Sequence, residues 1–260
     1  MPCDNARALE KARSLDADIL ILDLEDAVAP GAKAAARDSL AGAVAALRGA
    51  REIVVRVNAL ETPESECDFK AALDAGPDAI LLPKVGNADD IETIAAITGD
   101  VPLWAMIENP AGVLNLGEIA PGVAGLVLGA NDYLKEIGGR HRPDRANLHY
   151  IMSEMVLVAR AYGLVVLDGV HNSITDEAGF AAACQQARDF GFDGKTLIHP
   201  SQIGPCHAAF IPSQDEVEAA KRILAAFAEN PGKGALSVDG RMVEQLDADI
   251  AMRTIARAQD

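Results

Sequence analysis

The sequence predicts an α/β fold in which strands alternate with helices, as in a parallel barrel or a doubly wound sheet. Three observations predict it. Nearly unbroken apolar runs recur along the chain, as expected of parallel strands covered on both faces. Stretches of helical periodicity separate them, at intervals of roughly 25–35 residues. Several runs also end on charged residues, and the C-terminal strand ends of such folds are where chemistry sits.

Composition fits this fold. Of 260 residues 50% are hydrophobic, and the mean hydropathy is +0.11, enough for one large domain or two small ones. No apolar run approaches the roughly 18 residues of a membrane span, and no basic-then-apolar leader opens the chain. A soluble, cytoplasmic protein without a membrane partner is expected. A net charge of −16 leaves no basic surface for nucleic acid, although a local basic cluster can still hold one anionic ligand. Cys3, Cys67, Cys184 and Cys206 are scattered with no C-x-x-C pair, which predicts free thiols and no zinc site.

In chain order, residues 1–15 read as a loop leading into a helix that Asp4 or Asn5 can cap. Arg7 and Lys11 lie one turn apart on it, a solvated basic face by default. The first strand, 17–24, discharges Glu25 and Asp26, which either solvate a strand end or begin a site. Ala36, Leu40, Val44 and Leu47 follow helical spacing, and Gly49 can end that helix. Strand 51–58 ends in Arg56 and Asn58, strand 78–85 in Lys84, strand 101–109 in Glu108, and strand 125–132 in Asp132. A helix over 146–162 closes at Gly163; strand 164–172 and helix 176–190 follow, the latter ending at Gly191. Residues 194–202 read as the last strand, ending in His199. That makes seven strands, whereas a closed (β/α)8 barrel needs eight; the missing first strand is expected to precede residue 1. The tail has a helix at 215–229, a Gly-rich stretch short of periodicity that carries Glu244, and a helix at 246–258. The stretch is either a mobile lid or a plain connector.

Two tempting signals fail. GFDGKT (191–196) has Asp189 where a P-loop needs Gly, and its lysine falls inside a strand. No G-x-G-x-x-G follows the first strand, and no Ser or Cys stands in a nucleophile setting. What remains is a ring of polar strand ends: Glu25, Asp26, Arg56, Glu108 and Asp132. Glu108 and Asp132 are oxygen ligands suited to Mg²⁺, with the other positions left to water and substrate. His171 and His199 are either ligands or hydrogen-bonded structural residues. An arginine beside the metal would clamp a carboxylate, and the implied chemistry polarises a carbonyl or stabilises an enolate.

These residues resemble the HpcH/HpaI aldolase and citrate lyase β-subunit superfamily, in its CoA-ester lyase branch. The marks are LDLEDAV (22–28), RVN (56–58), LLPKV (81–85), the segment around Glu108, GAND (129–132) and GKTLIHPSQ (194–202). The resemblance implies a TIM barrel over residues 1–212 and a C-terminal extension, 213–260, of helix, lid loop and final helix. It implies Mg²⁺ on Glu108 and Asp132, Arg56 on the carboxylate of the keto-acid half, and Gly129, Ala130 and Asn131 lining the same pocket. Glu25 and Asp26 would order metal-bound water. Arg7 and Lys11 would meet CoA phosphates, and Ile198 and His199 the CoA arm. Glu244 would be the acid that the tail carries to a neighbouring subunit of a trimer or hexamer.

The implied reaction is a carbon–carbon lyase cleavage of a citryl-, malyl- or citramalyl-CoA type ester into acetyl-CoA or propionyl-CoA and a 2-keto acid. Three features depart from the family pattern: only Met1 and Pro2 represent its first strand, Cys3 stands for the turn glycine, and Glu244 stands where many lyases have Asp. The sister class II aldolases resemble the chain less, typically having His where Asp26 stands. A non-catalytic binding or assembly subunit is the remaining alternative.

Overall fold

The computed structural model describes residues 1–49 and 51–258. Contacts divide the chain into two compact units, Met1–Ile203 and a second from Gly204 onward. The first is a curled, all-parallel sheet of seven strands in sequential order, surrounded by helices. The strands are β1 (Ile19–Asp23), β2 (Glu52–Arg56), β3 (Ala79–Leu82), β4 (Leu103–Ile107), β5 (Gly125–Leu128), β6 (Val165–Asp168) and β7 (Gly194–Lys195). This is the α/β barrel architecture that the alternating pattern predicts. Among the described residues β7 does not pair with β1. Met1–Cys3 lie along the free side of β1 instead, with a single parallel bridge between Pro2 and Asp23.

The continuous apolar runs exist because both faces of each strand are covered: every residue of β3, β4 and β5 is buried. Inward-facing Val54, Ala79, Leu81, Trp104, Met106, Val127 and Leu167 form one core cluster. Register builds it in layers, with Val54 opposite Ala79, Leu81 opposite Trp104, and Met106 opposite Val127. Size alternation lets it close: a Cβ on Gly125 would come 2.6 Å from the Trp104 ring, so only glycine fits beside that indole.

The helices obey their predicted signals with three differences. Asn5, not Asp4, caps the first helix, its side chain accepting the Ala8 N–H at 3.0 Å. The helix Lys33–Leu47 stops at extended Arg48, one residue before Gly49. Gly163 and Gly191 do close their helices in left-handed backbone, at φ +70° and +100°. The third difference is β7, two residues long rather than a strand across 194–202. His199 there caps a short helical turn, Pro200–Gln202. Gln202 Oε1 takes the N–H groups of Ile198 and His199, so those donors are lost to any sheet.

The second unit packs the helix Gln214–Glu229 against Gln245–Arg257 through buried Ala220, Ala248 and Ala251. The tail predicted to lack periodicity contains an antiparallel hairpin, β8 (Ala235–Val238) and β9 (Arg241–Glu244). Asp239 and Gly240 turn it with φ +51° and +79°, the positive pair that an Asp-Gly hairpin turn requires. None of the four cysteines is in a disulfide, and no described helix is long and apolar enough to cross a membrane.

Candidate active site

The polar residues after β1, β2, β3 and β4 converge at the C-terminal end of the sheet. Register places Asp23 directly opposite Arg56, and the guanidinium forks onto that carboxylate, Nε to Oδ1 at 2.8 Å and Nη2 to Oδ2 at 2.5 Å. Asp23 also accepts the N–H groups of Glu25 and Ala27, at 2.9 and 3.1 Å, which folds the turn after the strand. Burial alone would raise the Asp23 carboxyl; the Arg56 fork and those donors hold it below its usual range. Burial likewise opposes the Arg56 charge, and Asp23 and Glu25 outweigh it, so the guanidinium stays firmly protonated.

The paired acids Glu25 and Asp26 diverge. Asp26 points to solvent, while Glu25 is buried, with Oε1 accepting from Lys84 Nζ at 2.8 Å. Its Oε2 lies 3.0 Å from Arg56 Nη1, too poorly aligned for a hydrogen bond, and has no hydrogen-bond partner. Burial pushes the Glu25 carboxyl up, and the two cations only partly offset it. Beneath the loop, Lys33 Nζ ties together the carbonyls of Leu24 and Glu25 and the Asn58 amide, at 2.9, 3.1 and 2.6 Å. Asn58 is held in turn by buried Asp68, whose other oxygen receives Arg37 at 3.0 Å.

Glu108 follows β4 and is 3% exposed. Its Oε1 accepts the backbone N–H of Lys84 at 2.8 Å, a residue in left-handed backbone at φ +56°. Burial, then the charge of Glu25 and that of Asp132, pushes its carboxyl up to about 7. Gly129, the residue after β5, presses on it: an added Cβ would come 2.4 Å from Glu108 Oε2. Asp132 is not at a strand end as predicted. It sits in the first turn of the helix Ala130–Glu136, half-buried, four residues after β5 stops. In that turn the Asn131 and Asn172 amides pair reciprocally, at 3.2 and 2.8 Å.

This donor set fits Mg²⁺. Glu108 and Asp132 supply hard oxygens, and a buried carboxyl driven upward by two acidic neighbours marks negative charge that a dication would relieve. Among the described residues no group of three or more His, Cys, Asp or Glu is arranged to hold a metal. Two protein carboxylates, with water and substrate completing the shell, is the usual style of Mg²⁺. Neither histidine joins them. His199 Nδ1 meets Ser201 Oγ at 2.8 Å and accepts the Ser201 N–H at 3.2 Å. His171 stacks edge-on against Phe180, with Nε2 3.7 Å from Asp176, and burial lowers its pKa.

Arg7 and Lys11 lie exposed on the helix Ala6–Ala12. Ile198 is 48% exposed next to the His199 cap. Glu244, in the second unit, is exposed at the junction of β9 and the last helix, its N–H donating to Asp247 at 2.8 Å. Sequence reasoning missed Asp23, the two contacts of Lys84, and a trio formed by Asp168 at the end of β6, Lys195 at the end of β7 and part-buried Arg145, which precedes β6. In that trio Asp168 receives Arg145 Nη2 at 2.5 Å and Lys195 Nζ at 2.6 Å. Lys195 also donates to the Gly169 carbonyl.

Residues 1–200 match the HpcH/HpaI aldolase/citrate lyase family. The chain is 48% identical over its whole length to a (3S)-malyl-CoA thioesterase of Cereibacter sphaeroides (strain KD131 / KCTC 12085), covering 93% of that protein. It is 33% identical, again over its whole length, to the citrate lyase subunit beta of Escherichia coli (strain K12), covering 91% of it. Among solved structures it superposes with a TM-score of 0.88 and 32% identity on CitE from Mycobacterium tuberculosis, a complex with magnesium, acetoacetate and coenzyme A. That match covers 100% of this chain and 96% of the other.

Proposed function

Because the chain belongs to the HpcH/HpaI aldolase/citrate lyase family, a family of enzymes, we propose that it acts on the CoA ester of a short 3-hydroxy dicarboxylic acid, malyl-CoA in type, at a Mg²⁺ site formed by Glu108 and Asp132. The observation that carries this is Glu108: buried, adjacent to two further acids, and pushed up to about 7. The reaction favoured first is thioester hydrolysis, because the full-length identity to a malyl-CoA thioesterase is 48%, against 33% to citrate lyase subunit beta. Carbon–carbon cleavage is the second reading, favoured by the same acids and by that citrate lyase similarity.

Bound there, Mg²⁺ would polarise a substrate oxygen. Arg56, oriented by its fork on Asp23, is the cation for the substrate's free carboxylate. Gly129, Ala130 and Asn131 line the same pocket, and the missing Cβ of Gly129 leaves room beside Glu108. Glu25 Oε2, buried and without a hydrogen bond, is the natural acceptor for a water or hydroxyl proton, with exposed Asp26 ordering water outside it. In hydrolysis that water attacks the thioester carbonyl carbon, and the C–S bond breaks to release CoA and the dicarboxylate. In the lyase reading the same base takes the substrate hydroxyl proton, the C–C bond breaks, and the thioester fragment is protonated to acetyl-CoA. Arg7 and Lys11 pair with CoA phosphates, Ile198 and His199 flank the CoA arm, and Glu244 supplies an acid in a homo-oligomer, a trimer or hexamer.

One experiment separates the readings. The protein is incubated with (3S)-malyl-CoA, with Mg²⁺ or with EDTA, beside Glu108→Ala. Free CoA with malate marks hydrolysis; acetyl-CoA with glyoxylate marks cleavage. Either is expected to vanish with EDTA and in the variant. Turnover that persists in EDTA would sink the metal reading, and silence toward malyl-, citramalyl- and citryl-CoA alike would leave a non-catalytic subunit.

A further inference from the structure

Lys84 has no part in the chemistry proposed above, yet it touches two of the acids. It follows β3, whereas Glu25 follows β1 and Glu108 follows β4. Its backbone is left-handed, φ +56°, a region that residues with a Cβ seldom occupy unless their surroundings over-determine it. They do so here. Asn109 Nδ2 donates to the carbonyls of Lys84 and Val85, at 3.0 and 3.1 Å, and Asn115 Nδ2 to that of Gly86 at 2.8 Å. The turn so held aims one donor at each acid: the Lys84 N–H at Glu108 Oε1 and the ammonium at Glu25 Oε1, both at 2.8 Å. Lys84 engages one oxygen of each acid and leaves the other, that of Glu25 lying 3.0 Å from Arg56 Nη1 as an ion pair. Glu25 Oε2 is buried without a hydrogen bond, and Glu108 Oε2 occupies the space that a Cβ on Gly129 would fill.

We propose that Lys84 is the positioning residue of the metal site: its backbone pins Glu108, its ammonium pins Glu25, and one oxygen of each acid stays available to the cation and its water. This rests on the reading in which Glu108 holds Mg²⁺. The two arms separate by substitution. Lys84→Met and Lys84→Gly keep the N–H and remove the ammonium. Lys84→Val brings a β-branched side chain that left-handed backbone rejects, and so withdraws the N–H from Glu108. Lys84→Arg restores a cation.

The test measures Mn²⁺ affinity by electron paramagnetic resonance without substrate, then kcat and KM on malyl-CoA, on variants whose near-ultraviolet circular dichroism is native. Met and Gly are expected to bind Mn²⁺ within about threefold of wild type, and Val about 10–100-fold more weakly, the usual effect of losing a partner behind a metal ligand. Should Val not fold, Asn109→Ala, which frees the two carbonyls, is expected to give the same loss. In kcat, Met and Gly fall about tenfold or more with KM little changed, and Arg recovers part of it. Adding Lys84→Met to Glu25→Gln slows the enzyme no further, because the two act as one unit. Wild-type affinity in both Val and Asn109→Ala, or wild-type kcat in Met, would overturn the proposal alone. A wild-type protein that binds no Mn²⁺ would overturn the metal reading and this inference with it.

Discussion

Two groups of buried charge stand at the same end of the sheet and have been treated in opposite ways. At the ends of β6 and β7, Asp168 is fully buried, and both of its oxygens are taken by cations, Arg145 and Lys195. After β1 and β4, Glu25 keeps an oxygen without a hydrogen bond, and Glu108 keeps a carboxyl pushed up to about 7. The first group is closed on itself and leaves nothing for a ligand. The second holds negative charge that a proton or a further cation would relieve. Burial of charge alone therefore does not mark a site; burial with a residual deficit does.

The comparison is broken most severely at the closed group. Asp168→Ala strands buried Lys195 and part-buried Arg145 and is expected to destabilise the protein by about 3–5 kcal/mol, read as the midpoint shift in urea unfolding. The opposite is expected at the open group. Glu108→Gln weakens Mg²⁺ binding about 100-fold or more by titration calorimetry, with a thermal midpoint equal to or above that of the metal-free wild type. A fall of several degrees would erase the contrast. Gly129→Ala drives a methyl into Glu108 and is expected to cost about 1–3 kcal/mol, with weaker metal binding in the same titration.

pH sharpens the contrast further. The folded Glu108 carboxyl titrates near 7 rather than at its usual 4.5, so between those values the folded state binds the extra proton. Stability of the metal-free protein is therefore expected to fall as pH rises through that window. Saturating Mg²⁺ is expected to flatten the slope, and metal uptake near pH 6 to release protons, both visible in melts and calorimetry across buffers. The smallest effect lies far from either group: Gly240→Ala, at φ +79° in the hairpin turn, is expected to cost about 1 kcal/mol, with catalysis judged separately by kcat.

Much of this was legible in the sequence. Six of the seven predicted runs are strands along most of their apolar length, the seventh keeps only Gly194–Lys195, and Glu25, Arg56 and Glu108 fall at or just past the strand ends, because a strand covered on both faces shows its ends plainly. What was hidden depends on partners distant in sequence. Asp23 reads as part of its strand until register sets it opposite Arg56. Lys84 reads as a polar strand end, since a left-handed φ at a lysine is imposed by Asn109 from the next loop. Asp168 and Lys195 looked unrelated because 26 residues separate them and only β6–β7 pairing brings them adjacent. The hairpin of the tail was different: Asp239-Gly240 is a local signal, obscured by the glycines around it.

The indole of Trp104, wedged beside Gly125 one layer below Met106, has a practical consequence. It is the chain's one tryptophan and is 3% exposed, so the protein carries a single emitter in its driest region. Met106 places its sulfur 3.8 Å from Arg56 Nη1, so a single layer separates that emitter from the guanidinium. Fluorescence thus gives an optical readout of the first unit alone, blue-shifted while the sheet stays curled and red-shifted when water reaches its interior.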